Sequence, residues 1–394
     1  MKICMVAEGC YPYVVGGVSG WINSMIKSFP DEQFMVVAII AGRDVSGKFA
    51  YELPENLVQV YEVYLSDVDW GVYNRKIRSR RLKKSYHRAL RSLILNENVE
   101  WDVIFDMFDE PTISINELLM GYSFYDITRE VYDLKYSSIT FSDFLWTLRS
   151  IYLPLFQVIK SYLPEADIYH CVATGYSGVL GAKAKHKYGC ALMISEHGIY
   201  TREREEELIR AEWVEGKYKN MWIEQFRKMS TLAYNVADRV TSLYEHAREL
   251  QIELGCPGEK TIVTPNGIDE TRLANLPYRE EELDKVYVGA VLRVTPIKDV
   301  KTMIEAFGFA SRTLPNLKLF IMGPADEDPG YAKECYDLVE SMNLDNVVFT
   351  GRIDVKEYLG KMDMTILTSI SEGQPLTILE GFAAKKPAKI KIKK

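Results

Sequence analysis

Glu372 and Glu380 stand eight positions apart in the segment SEGQPLTILE. The apolar run before them, 363–368, predicts a buried strand, and Gly373 predicts a turn after it. Pro375 suits the first residue of a helix, where the amide hydrogen that proline lacks would have no partner. Amide groups at a helix start attract a diphosphate, and carboxylates accept hydrogen bonds from sugar hydroxyls. The two glutamates are therefore candidates for binding a nucleotide sugar, although a capping Glu372 and a solvated Glu380 would also explain the pattern.

A second charged segment follows the apolar run Val286–Leu292, which predicts another buried strand. Arg293 and Lys298 come next, five positions apart, ahead of a helical pattern over Val300–Ala310. A guanidinium binds phosphate oxygens as a fork and an ammonium adds a point charge, so both can converge on a pyrophosphate. Exposed cations on a solvated loop are the alternative interpretation.

These two segments, in this order, resemble the family-four retaining glycosyltransferases of GT-B fold. The resemblance implies that Arg293 and Lys298 bind the donor diphosphate, and that Glu372 and Glu380 form an E-x7-E motif that grips the sugar and the ribose. Gly373 belongs to the same donor-binding turn. The resemblance also implies two Rossmann-like domains that face a cleft, in agreement with the alternating strand and helix patterns of an α/β chain.

A glycine turn follows the first predicted strand, Lys2–Ala7. Gly16 and Gly17 open a helical pattern there, and glycine lets the backbone approach a bound phosphate or sugar. Close packing between helix and strand would also explain such a turn. In the family this loop lies beside the donor phosphates and the acceptor, so both glycines are donor-binding candidates.

Two histidines stand near the ends of two further predicted strands, His170 in 167–171 and His197 in 191–198. A lone histidine at such a place is often a core residue whose hydrogen bonds are satisfied. The segments SEHGIYTRER and RVTPIKDVKT, however, resemble the PelF-like subgroup, which builds Pel-type extracellular polysaccharide, and the similarity extends to about Ala384. By this resemblance His197 lies beside the donor sugar at the catalytic centre, with His170 a weaker candidate. Asn266, in TPNGID, falls in the family's segment near the interdomain cleft.

The chain of 394 residues is long enough for two domains. We expect an acceptor-side domain at 1–278, with a helix-rich insertion at about 66–161, and a nucleotide-sugar-binding domain at 279–394. Six of the last ten residues are lysine, where the family continues with further strand and helix units. The alternation of lysine and isoleucine predicts one charged edge strand, so we expect the second domain to be truncated and to expose an apolar face.

Composition narrows the class of protein. The formal charge of −7 argues against general nucleic-acid binding. One segment, 75–91, contains nine Lys or Arg residues and no acid. This basic segment is either a membrane-docking surface or a solvated helix face. Six scattered cysteines argue against a zinc site or a disulfide framework. No secretory leader or membrane-spanning run is apparent, so we expect a cytoplasmic protein, peripheral at the inner face of the cell membrane.

The predicted activity is transfer of a hexose from a UDP-sugar, UDP-glucose or an N-acetylated UDP-hexose, to a polysaccharide acceptor with retention of configuration. No metal or other cofactor is expected, because two cations and a helix start can neutralise the leaving diphosphate. The expected partners are the donor, the acceptor and a membrane-embedded synthesis and export complex. Two other functions remain open: a UDP-sugar 2-epimerase of the same fold, and a non-catalytic scaffold of a polysaccharide-export assembly.

Overall fold

The computed structural model describes residues 1–66 and 81–391, which form two compact units. The first unit is Met1–Thr264, and the second begins at Pro265. Each unit is built on one parallel sheet with helices between its strands. The α/β class and the two Rossmann-like domains expected from the sequence are confirmed.

The first sheet contains seven strands within the described residues, all of which pair in parallel. They are β1 (Lys2–Glu8), β2 (Gln33–Ile40), β3 (Leu57–Tyr64), β4 (Ile168–Cys171), β5 (Ala191–Glu196), β6 (Arg239–Ser242) and β7 (Thr261–Val263). Their order is β3-β2-β1-β4-β5-β6-β7. The direction of winding therefore reverses between β1 and β4. Open α/β sheets bind ligands at such a reversal, just beyond the carboxyl ends of the strands.

The central strands are nearly continuous apolar runs because both of their faces are buried. Successive side chains point to opposite faces, so Cys4 and Val6 of β1 join one core cluster while Met5 and Ala7 join another. The helices that flank this sheet are α1 (Gly17–Ser28), α7 (Tyr176–Tyr188), α8 (Tyr200–Arg210), α9 (Gly216–Val236) and α10 (Glu245–Glu253).

A helical insertion separates β3 from β4, in the region where the sequence predicts it. It comprises α2 (Lys84–Leu95), α3 (Trp101–Asp109), α4 (Ile115–Met120), α5 (Tyr122–Val131) with a π-helical turn at Tyr132–Tyr136, and α6 (Phe141–Lys160). The predicted apolar face of α2 packs inward, since Leu90 and Leu93 are buried and Leu82 and Tyr86 contact the same core cluster. Residues 67–80 of the predicted insertion lie outside the described part of the chain.

The second sheet contains five parallel strands within the described residues, in the order β10-β9-β8-β11-β12. The strands are β8 (Val286–Val291), β9 (Leu317–Met322), β10 (Val347–Gly351), β11 (Met364–Leu367) and β12 (Ala388–Ile390). Their helices are α11 (Val300–Thr313), α12 (Pro329–Ser341), α13 (Val355–Leu359) and α14 (Leu376–Ala383). The winding reverses between β8 and β11, and the lysine-rich end of the chain adds β12 as an edge strand.

The boundary between the units differs from the one expected at 278/279, because the chain divides after Thr264. Residues 265–278 pack on the second unit: a side chain at Gly360 would meet the backbone oxygen of Pro277 at 2.4 Å. Asn266 likewise bonds to Gln374. Residues 265–278 contain no strand, and their one helical element is a single short turn. No strand or helix pattern in the sequence therefore indicates on which unit this segment packs.

Candidate functional site

Arg293 and Lys298 follow β8, and Glu372 follows β11, the two strands at which the second sheet reverses its winding. The loops after these strands are joined by backbone contacts. The Ile370 amide donates to the Ile297 carbonyl at 2.8 Å. The sheet topology thus brings together residues that are more than seventy positions apart.

The Lys298 ammonium and the Glu372 carboxylate form an ion pair at 2.5 Å, with side chains that are only 19% and 12% exposed. Ser369 Oγ donates to the same carboxylate oxygen at 2.6 Å. Thr368 Oγ1 donates to the backbone oxygens of Lys298 and Asp299, both at 3.1 Å. Two of the predicted site residues are therefore in direct contact, each held by its own loop.

Arg293 is held differently, because its guanidinium pairs with Glu327 in the loop after β9. Glu327 belongs to the acidic segment 326–328. Asp328 is the cap of α12, since its carboxylate accepts a hydrogen bond from the Tyr331 amide at 2.9 Å. The two predicted cations thus have separate carboxylate partners, and sequence reasoning missed Glu327.

Asn266 contacts the turn that contains Gly373. Its backbone nitrogen donates to the side-chain oxygen Oε1 of Gln374 at 2.5 Å, and its side-chain Nδ2 donates to the backbone carbonyl of Gln374 at 3.1 Å. Its side-chain oxygen is buried and finds no hydrogen-bond partner among the described residues. The same holds for the Thr295 hydroxyl, in the loop between the two cations.

Glu380 lies on α14, which begins at Leu376, with Pro375 as its cap rather than its first residue. Burial raises the pKa of Glu380, and Arg272 opposes that shift. A side chain at Gly381 would meet Thr365 Oγ1 of β11 at 3.1 Å, so the helix packs closely on its strand.

In the first unit, Gly16 precedes α1 and Gly17 begins it. A Cβ atom built at either glycine would meet no atom of the described residues within 4 Å. Close packing, the alternative suggested by the sequence, therefore does not explain these two glycines. The space beside this turn is available to a ligand.

Trp21, one turn into α1, contacts both of the predicted histidines. Its ring meets His197 edge-on with 4.7 Å between centroids and His170 with 5.6 Å. Thr241 Oγ1 donates to Ser195 Oγ at 2.8 Å, and Ser195 Oγ is also hydrogen-bonded to His170 Nε2 at 2.8 Å.

Both imidazoles are uncharged at neutral pH. Burial lowers the pKa of His197 to about 4, and burial together with the nearby His197 lowers the pKa of His170 to about 4. The Nε2 atom of His197 is buried and has no hydrogen-bond partner in the described part of the chain. It can therefore bond a hydroxyl group of a ligand without carrying a charge.

Two glutamates at strand ends, the half-buried Glu8 and the buried Glu196, were missed by sequence reasoning. Glu8, at the end of β1, accepts hydrogen bonds from Tyr200 OH at 2.9 Å and from the Ser177 amide at 3.2 Å. Glu196, at the end of β5, accepts from Tyr234 OH at 2.7 Å. Burial raises the pKa of both carboxyls. The sequence did contain a signal for these residues, since each is a charged residue at the end of a buried strand. Their hydrogen bonds hold the loops around His197.

The basic stretch predicted at 75–91 lies partly outside the described residues, which resume at Arg81. Within the described part, Lys83, Arg88 and Arg91 each pair with a glutamate of another helix or its flanking loop, respectively Glu110, Glu100 and Glu130. Such pairing favours the solvated helix face over the membrane-docking surface. No helix in residues 1–66 or 81–391 has the length and apolar character needed to cross a membrane.

Comparison with known families divides the chain much as the structure does. Residues 1–259 match the family described as "Domain of unknown function (DUF3492)". Residues 276–388 match the family described as "Glycosyl transferases group 1". The second match contains Arg293, Lys298, Glu372 and Glu380.

Among individual proteins, the chain is similar to the putative glycosyltransferase EpsD of Bacillus subtilis (strain 168), at 26% identity over 261 residues. That match covers 61% of this chain and 61% of EpsD, so the chain spans less than two thirds of the length of this curated relative.

Solved structures show the same fold at low sequence identity. Anabaena HepE in complex with UDP and glucose has a TM-score of 0.58 and 15% identity, over 98% of this chain and 80% of that one. Sucrose-phosphate synthase from Thermosynechococcus elongatus has a TM-score of 0.56 and 13% identity, over 99% and 80%. Since one family model covers well over half of its residues, the chain belongs to the DUF3492 family, and its fold is the GT-B fold of these solved structures.

Proposed function

We propose that this protein is a retaining glycosyltransferase that moves a hexose from a UDP-sugar, UDP-glucose in the first instance, to a growing extracellular polysaccharide of the Pel type. The observation that carries the proposal is the contact between Lys298 and Glu372 at the carboxyl edge of the second sheet, beside the loop of Arg293. A cation and a carboxylate held there can serve the two halves of one ligand, its diphosphate and its sugar.

The proposed roles are those that the resemblance implies, and the charges and positions of the residues are compatible with them. Arg293 and Lys298 stabilise negative charge on the diphosphate as the bond from the anomeric carbon to the phosphate oxygen breaks and its electron pair passes to UDP. The acceptor hydroxyl oxygen bonds to the anomeric carbon on the same face, and its proton passes to the departing phosphate. Glu372 accepts hydrogen bonds from the donor sugar, and Glu380 accepts them from the ribose.

The first unit supplies an uncharged polar surface in this proposal. The open turn at Gly16 and Gly17 leaves room for a phosphate or a sugar. His197 offers a buried, unpartnered ring nitrogen to a hydroxyl of the reacting sugar. His170 is assigned a supporting role, because its Nε2 is already bonded to Ser195.

The identity of the donor and the product rests on similarity. HepE has been solved in complex with UDP-glucose, and the name EpsD describes a putative glycosyltransferase. The Pel-type product rests on the segments around His197 and Arg293, and an N-acetylated UDP-hexose is the second donor to test. The partners we propose are the polysaccharide acceptor and a membrane-embedded synthesis and export complex, on whose cytoplasmic side the reaction would take place.

We propose that the reaction needs no divalent metal, because Arg293 and Lys298 can neutralise the charge that a metal ion carries elsewhere. Full activity in EDTA is the expected result. Loss of turnover in EDTA, with recovery on adding Mg²⁺ or Mn²⁺, would disprove this part of the proposal.

The decisive experiment is calorimetric titration of UDP into the full chain in EDTA, beside the double variant Arg293→Ala, Lys298→Ala. Two charge-assisted contacts contribute about 3 kcal/mol together, so the variant should bind at least about 100-fold more weakly. The matched control is Lys301→Ala, Arg312→Ala, which removes two cations from α11 of the same unit.

Circular dichroism must show that all three proteins are folded. Equal loss of binding in both double variants would indicate a general charge effect and would contradict the assignment. Absence of UDP binding by the folded parent chain would overturn the proposed function. Product analysis with UDP-glucose then separates the remaining classes: release of UDP only when acceptor is present indicates transfer, formation of a second UDP-sugar indicates epimerisation, and neither indicates a scaffold.

A further inference from the structure

Glu327 forms an ion pair with the guanidinium of Arg293. The two residues lie in the loops after β8 and β9, which are neighbouring strands. Backbone hydrogen bonds fix the bases of these loops: the Leu292 amide donates to the Met322 carbonyl at 3.0 Å, and the Val294 amide donates to the Pro324 carbonyl at 2.9 Å. The contact is therefore set by the sheet, while both side chains remain partly exposed.

Stability does not account for this carboxylate. Asp328 alone caps α12, so the helix start does not need Glu327. The Arg293 and Glu327 side chains are 37% and 47% exposed, and ion pairs at that exposure contribute about 0–1 kcal/mol. Such a pair is weak enough for a ligand to displace.

A diphosphate would compete with Glu327 for Arg293. Both anions favour the same fork of guanidinium hydrogens, and two anions on one side chain repel each other. The second cation differs in this respect, because Glu372 is itself assigned to the donor sugar and need not leave.

We propose that Glu327 is a placeholder for the donor diphosphate: it pairs with Arg293 in the free protein, must leave when a nucleoside diphosphate binds, and returns as UDP departs. This inference rests on the proposed function of Arg293. Its consequence is that Glu327 weakens UDP binding and assists product release. A residue that merely held Arg293 in position would have the opposite effect on affinity.

The test is calorimetric titration of UDP into the full chain and its Glu327→Gln variant, in buffer of low ionic strength and again in 0.5 M salt. Removing an exposed competing charge should tighten binding about threefold at low salt, and high salt should shrink the difference because it screens the pair.

Two matched controls remove one negative charge each. Asp326→Asn changes the neighbouring residue, which forms no ion pair within residues 1–66 and 81–391. Glu334→Gln breaks the pair with Lys301 on α11 and α12. Both should leave the affinity for UDP nearly unchanged.

Weaker or unchanged UDP binding by Glu327→Gln would overturn the placeholder role, and equal tightening by Asp326→Asn would reduce it to a general charge effect. Either result leaves the proposed function standing if the parent binds UDP and loses that binding with the Arg293→Ala, Lys298→Ala variant. A folded parent that does not bind UDP removes the proposed function and this inference with it.

Discussion

The two histidines at the carboxyl end of the first sheet are buried or half-buried and uncharged at neutral pH, whereas the lysine and arginine at the same end of the second sheet are charged and partly exposed. His170 and His197 keep neutral rings against Trp21. Lys298 and Arg293 instead carry full charges that carboxylates balance. Two sheets of the same class thus present two different surfaces at equivalent edges.

The difference indicates that the two edges suit different kinds of ligand group. Neutral buried groups distinguish hydroxyls by direction, because an unpaired donor or acceptor in a buried site is costly. Exchangeable ion pairs suit a diphosphate, which must bind and then leave. Each prediction below alters one side of this comparison.

The largest effect is expected for Gly323→Ala, compared with Gly16→Ala. Gly323 has a φ of +151°, and an added Cβ would lie 1.9 Å from the Leu292 carbonyl oxygen, so backbone at the base of the Arg293 loop would have to move. A clash of this kind should lower the free energy of unfolding of the second unit by about 4 kcal/mol or more. Gly16 has open space, so its variant should keep its stability and lose UDP affinity only. Thermal unfolding and UDP titration check both, and a stable Gly323→Ala protein would contradict the strain.

The second effect is the pH dependence of stability. A histidine with a folded pKa of about 4 binds no proton in the native state between pH 6.5 and 4, while the unfolded chain does. Stability should therefore fall as the pH drops through that window, by about 3 kcal/mol for each imidazole.

Glu8 and Glu196 act in the opposite direction, because carboxyls with a raised folded pKa favour the native state as the pH falls towards 4.5. The difference in the free energy of unfolding between the parent and His170→Gln isolates the contribution of one imidazole. Urea unfolding from pH 7 to 4 should show a shallower loss for this variant, whereas the exposed His246→Gln should follow the parent. Identical slopes for parent and His170→Gln would show that His170 titrates normally.

The smallest effect concerns Trp21. Trp21→Ala removes an edge-on contact with His197 that contributes about 1 kcal/mol and should admit water, so the pKa of His197 should rise from about 4 towards its ordinary value. Trp21→Phe should keep most of the shift. The chain has five histidines, so NMR titration of their ring protons can follow each one.

Trp213→Ala is the matched control, because that ring is 72% exposed and contacts Trp222 rather than a histidine. It should leave both buried imidazoles unchanged. An unaltered His197 titration in Trp21→Ala would mean that other side chains exclude water from the ring.

Much of the fold was predictable because strands that are buried on both faces have nearly continuous apolar sequences. Val286–Leu292 and the residues before Glu372 gave two strands to within one residue of each end. Lys298 and Glu372 lie near each other because both follow strand ends at the point where the winding of the second sheet reverses. Contacts among side chains were not predictable: Tyr200 reaches Glu8 across 192 positions, and Glu327 resembles an ordinary loop acid. Nothing local marks the domain division at Thr264 either, since only tertiary packing assigns residues 265–278.

The hydrogen bonds between the loop after β8 and the loop after β11 also constrain how this domain can be re-engineered. Ile370 bonds to Ile297, and Thr368 bonds to the backbone of Lys298 and Asp299. A chimera that takes only one of these loops from a related protein would separate partners that are adjacent in space but some seventy residues apart in the chain. Residues 293–299 and 368–374 therefore form one exchangeable module, to be transplanted together or left in place.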